Sequence, residues 1–68
     1  MTEEEKLKAF CEYELRLVEN KGYDVHGAVT RCYGAIMFVA NDLLGGEEGE
    51  KLGKWWDDEM LPKFRKLY

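Results

Sequence analysis

The sequence predicts an all-α fold: a small three-helix bundle running up-down-up, its third helix kinked or split at Pro62, with monomer and dimer both open. Three observations lead there. Apolar residues recur at spacings of three and four, no run alternates as a half-buried strand would, and glycines break the pattern around Gly22 and at Gly45–Gly46. The whole chain, 1–68, reads as one helical domain without repeat, linker or low-complexity segment.

The first helix opens on a capping box, Thr2 with Glu5 three residues on, and its periodicity runs to about Asn20. Leu7, Phe10, Cys11, Leu17 and Val18 form the expected core stripe, with Tyr13 and Leu15 flanking it. Gly22 ends the helix, and Lys21 suits the negative end of the helix dipole. Only Lys21 to Tyr23 separates it from the next helix, so the two are expected to lie antiparallel.

Val25 to Leu44 is the most apolar stretch and organises the rest. Asp24 is its predicted N-cap, accepting from the backbone N–H of His26 or Gly27. At about 100° per residue, Val25, Ala28, Val29, Cys32, Ile36, Val39, Ala40 and Leu43 share one broad face. Thr30, Arg31, Gly34, Asn41 and Asp42 take most of the other side. Met37 and Phe38 break the scheme by pointing towards that polar side, while Tyr33 and Leu44 widen the apolar arc. Such a helix needs cover on more than one side, and a second copy of the chain is one source of it. Gly45 and Gly46 supply the left-handed closing residue.

The run GGEEGEKLG suits either a loop or the acidic first turn of a third helix. Leu52, Trp55, Trp56, Met60, Phe64 and Leu67 then recur at helical spacing. Pro62 cannot donate to residue 58, which predicts a kink or break near Leu61. Gly49 and Gly53 share a face with Trp56 if the helix starts early, a spacing that permits close helix contact.

Composition bounds the function. A chain of 68 residues buries only roughly 60% of its unfolded surface, so it needs a well-packed core or outside help. Hydrophobic residues at 46% and nine aromatics place it far from disorder. The net charge of −4, concentrated in Glu47, Glu48, Glu50, Asp57, Asp58 and Glu59, disfavours direct nucleic-acid binding. Lys63, Arg65 and Lys66 near the end do not reverse that balance. Thr2 to Lys8 lacks the character of a signal peptide, and Arg31, Asn41 and Asp42 interrupt the apolar stretch against a membrane span. A cytoplasmic protein with reduced cysteines is therefore expected.

Few residues suggest chemistry. Glu14 has Phe10, Cys11, Leu17 and Val18 as helical neighbours, so a carboxylate sits inside an apolar stripe. It is expected to pair with Tyr33, Lys63 or Arg65, or to sit exposed at a helix seam; a raised-pKa acid or metal ligand is the sharper alternative. Folding the first two helices at Gly22 brings Cys11 and Cys32 to one level, since positions summing to about 43 or 44 then face each other. Two reduced core thiols are expected there, and a disulfide requires Cα atoms within about 7 Å. His26 has no catalytic partner at a recognisable spacing and reads as a surface or turn residue. Trp56 should anchor the bundle beside Leu52 and Met60, leaving Trp55 at a rim next to Asp57, Asp58 and Glu59.

The leading expectation is a non-enzymatic module that binds another protein, self or heterologous, through Met37, Phe38, Trp55, Asp57, Asp58 and Glu59. No catalytic set, metal site or cofactor is expected. A second possibility is a small acidic inhibitor, of mobile-element or phage type, that offers carboxylates to a basic nucleic-acid-binding target. A helical metal-binding or hydrolytic protein using Glu14 comes third, since the Glu47–Glu50 spacing lies away from any apolar face.

Overall fold

The computed structural model describes residues 2–68 and contains three helices, with no strand among those residues. Helix α1 is Glu3–Lys21. Helix α2 runs from Val25–Phe38 directly into a π-helical stretch, Val39–Leu44. Helix α3 starts at Gly46–Trp55, widens to π winding over Trp56–Met60, and returns to α winding at Leu61–Arg65. Residues 45–53 are thus helix from Gly46 onward rather than loop.

Local chemistry fixes the ends. The Thr2 hydroxyl accepts from the Glu5 N–H at 3.1 Å, and the Glu5 carboxylate accepts from the Thr2 N–H at 2.9 Å. The bond from the Thr2 backbone N–H, and secondly the Thr2 hydroxyl, hold the Glu5 carboxyl below its usual range. Gly22 closes α1 at φ 71°, and the Asp24 carboxylate accepts from the Gly27 N–H at 2.9 Å to open α2. Gly45 at φ 68° and Gly46 at φ 48° then turn the chain into α3.

Antiparallel packing follows from the pairs it creates. Glu14 meets Arg31 across α1 and α2. Gly49 lies against the Ala40 backbone at one end of α2, and Tyr68 stacks on His26 at the other, ring centroids 4.7 Å apart. Between them, Leu7, Cys11, Leu15, Ala28, Cys32, Ile36, Val39, Ala40, Leu52, Trp56, Met60 and Phe64 form one core cluster. Trp56 packs on Phe64 at 5.7 Å and is the buried tryptophan of the tandem.

Several core assignments shift. The stripe of α1 runs through Leu7, Cys11, Glu14 and Leu15, while Phe10 and Tyr13 are exposed and Leu17 is half-buried. The expected stripe took the apolar residues at face value, whereas the true one includes the acid at one edge. On α2, Leu43 is exposed and Leu44 packs on the core instead. The π stretch explains this exchange. Winding with i→i+5 bonds advances less than 100° per residue, so by the end of α2 the buried face lags by about one position. Tyr33 and Leu67 are exposed as well, the latter because α3 ends at Arg65. Ahead of Pro62 the winding is π, over Trp56–Met60. The Leu61 N–H donates to the Trp56 carbonyl, so the wider turn comes just before the residue that has no donor.

Candidate functional site

Helices α1 and α2 meet along an outer seam that carries both the polar and the apolar features of the surface. Its polar end is Glu14. The carboxylate is 5% exposed and forms a bidentate pair with Arg31, Nε to Oε1 at 2.6 Å and Nη2 to Oε2 at 3.0 Å. The partner is therefore Arg31, and not Tyr33, Lys63 or Arg65. Arg31 does lie on the polar side of α2, but its long side chain folds back over the seam with its head half in water. Its hydrogen bonds pull the Glu14 carboxyl below the usual range, outweighing burial, which alone would raise it. Glu14 is accordingly an ionised structural acid rather than a raised-pKa proton donor.

Beneath this pair lie the two cysteines. Both are fully buried free thiols, from α1 and α2 respectively, in one core cluster. The neighbouring Cys32 thiol, followed by burial, pushes the Cys11 thiol far up. The Cys11 thiol favours the anion at Cys32, so Cys32 is the first of the pair to ionise.

Along the same seam, away from Arg31, opens an apolar groove of about 320 Å³. Phe10 and Leu7 of α1 and Ala35, Phe38, Val39 and Leu43 of α2 line it, with Glu3 and Lys6 at its rim. Phe38 is 55% exposed and Leu43 48%, so two large apolar side chains stand open to solvent beside a part-exposed Phe10. The groove contains one residue of the expected binding set, Phe38. Met37 is 41% exposed but lies about 100° away around α2 and takes no part in the lining.

Trp55 sits elsewhere. It is half-buried, with the Lys8 ammonium 5.2 Å from its ring centroid. Lys8 and Phe10 flank opposite sides of the Leu7–Cys11 stripe, so the tryptophan and the groove occupy different flanks of α1. A shallow surface around Trp55 includes Asp58 and Glu59 together with Lys51 and Lys54, whereas exposed Asp57 is not part of it. The acids therefore alternate with lysines instead of forming a bare acidic face. Glu48 pairs with Lys51 at 3.6 Å, Glu4 with Lys8 at 3.3 Å and Glu3 with Lys6 at 3.7 Å.

Among the described residues, no group of three or more His, Cys, Asp and Glu side chains could hold a metal ion. No helix in that range is long and apolar enough to cross a membrane. In comparisons with protein-family models, curated proteins and solved structures, nothing matches this chain. Sequence periodicity placed Phe10 and Leu43 in the core and left Ala35 unassigned, so it missed the groove that they line. The signal that could have found them is hairpin register: positions 10 and 35 sum to about the same value as 14 and 31.

Proposed function

We propose that this chain is a non-enzymatic protein-interaction module, and that the α1–α2 seam takes a second copy of the chain as its partner. The observation that carries the reading is the groove. Two helices contribute Phe10, Phe38 and Leu43 to one continuous, open apolar surface. Pairing of this kind makes a four-helix layer from two hairpins, which gives a 68-residue chain additional buried apolar surface.

The exposed apolar area at this seam is on the order of a few hundred Å², which suits a weak, reversible dimer. Sedimentation velocity across a concentration series tests it. The wild-type chain should pass from monomer to dimer in the micromolar range, and Phe38→Glu should remain monomeric with unchanged helicity. Met37→Glu, on the other flank of α2, should dimerise as the wild type does. A wild-type chain that stays monomeric throughout, or a Phe38→Glu variant that dimerises normally, refutes the reading.

A further inference from the structure

We propose that Cys11 and Cys32 form a reversible dithiol site, which a small-molecule disulfide such as oxidised glutathione converts to a disulfide fastening α1 to α2. The geometry is a facing pair. The two side chains come from adjacent antiparallel helices, are both fully buried in the same core cluster, and lie next to the Glu14–Arg31 pair that joins those helices. They are the only cysteines of the chain, so an intramolecular product has a single pairing.

The surroundings favour one order of events. The Cys11 thiol favours the thiolate at Cys32, outweighing burial and the Glu14 carboxylate, which oppose it, with a smaller favourable contribution from Arg31. That thiolate attacks one sulfur of oxidised glutathione, forming a mixed disulfide and releasing a glutathione thiolate. The Cys11 sulfur then attacks Cys32 Sγ, the protein disulfide forms, and the second glutathione thiolate leaves. The two cysteine protons end on the two glutathione sulfurs. The protein dithiol has lost two electrons, and the glutathione disulfide has gained them. Because neither thiol reaches solvent in the closed fold, exchange proceeds through local opening of α1 from α2. The reaction is therefore slow in the native state, while its product is held by the fold that brings the sulfurs together.

The experiment uses the full chain, equilibrated under native conditions in excess oxidised glutathione, quenched with acid, and read by intact mass and non-reducing electrophoresis. The expected product is a monomer lighter by two hydrogen atoms, without a glutathione adduct, whose thermal midpoint is raised by roughly 10 °C. Added dithiothreitol should restore both the mass and the midpoint. Cys11→Ser and Cys32→Ser should yield at most a glutathione adduct and no rise. Free thiols at equilibrium, a stable adduct on the wild-type chain, or covalent dimers in place of the internal bridge overturn the proposal. The mass readout is independent of the α1–α2 groove, so this inference and the dimer stand or fall separately.

Discussion

A carboxylate at Glu14 is tolerated inside the α1 stripe because both of its oxygens are occupied by one guanidinium. The two partners are unequal, since Glu14 is buried while Arg31 keeps half of its side chain in water. Removing the arginine should therefore cost more than removing the acid. Arg31→Met strands a buried carboxylate and is expected to lower stability by about 3 kcal/mol. Glu14→Gln leaves a solvated cation and a neutral amide, and about 1 kcal/mol is expected. Urea unfolding at neutral pH compares them. The acid limbs of the wild type and of Arg31→Met should also differ in sign. In the wild type the folded-state pKa of Glu14 is depressed, so its contribution is complete above the unfolded value of about 4.3 and is lost as pH falls through the folded value. In Arg31→Met, burial acts unopposed and raises the folded pKa. The Glu14 contribution is then complete below about 4.3 and is lost as pH rises through the raised folded value. Equal costs for the two variants would refute the asymmetry. The acid's odd position was legible in the sequence, as was the level shared by Cys11 and Cys32. The partner was not, because a helical wheel assigns Arg31 by its Cα direction and ignores how far a guanidinium reaches.

Helix ends were the most readable elements, since each depends on a few neighbouring residues: Thr2 with Glu5, Asp24 with Gly27, Gly22, and Gly45 with Gly46. Winding was less readable. Nothing in Val39–Leu44 announces i→i+5 bonds, which arise where α2 meets α3, and the exchange of Leu43 for Leu44 follows from them. Gly49 sits at that meeting point. A Cβ there would fall well inside contact with the Ala40 carbonyl oxygen, which also accepts from the Gly45 N–H at 2.8 Å. Gly53, one turn on, has open space where its Cβ would be. The small-residue spacing thus reflects one true close contact and one spare glycine. Two alanine substitutions should consequently act in opposite directions. Gly53→Ala is expected to stabilise by about 0.5–1 kcal/mol, the ordinary gain from lower backbone entropy in the unfolded chain. Gly49→Ala should destabilise by about 2 kcal/mol, because backbone must move to admit the methyl group. Denaturant midpoints measured side by side decide it, and a stabilising Gly49→Ala would mean that α3 does not approach α2 this closely.

At the scale of the whole molecule, the Cα trace spans 35 × 21 × 15 Å, and a body this thin holds one layer of side chains between its helices. That layer is filled by the core cluster, and α1 and α2 have apolar residues left over: Phe10, Phe38 and Leu43 on the seam, Met37 beyond it. An excess of apolar residues around Met37 and Phe38 was legible from periodicity alone. Which of them converge was not, because that depends on the register between two helices rather than on either one. If the seam pairs with a second copy, stability becomes a property of concentration as well as of sequence. Ligation of the folded chain by itself removes folded monomer from the unfolding equilibrium, so the thermal midpoint must rise with protein concentration. Calorimetry of the wild-type chain over a hundredfold range should show the midpoint climbing by several degrees, about what 1 kcal/mol produces in a domain of this size. Phe38→Glu should give a flat line over the same range, close to the dilute wild-type value, since the side chain it replaces is 55% exposed and contributes little to the monomer's core. A slope that survives in Phe38→Glu would move the self-contact to another face. A flat wild-type line would leave the groove without a second copy to fill it, and the same surface would then have to be assigned to a different protein.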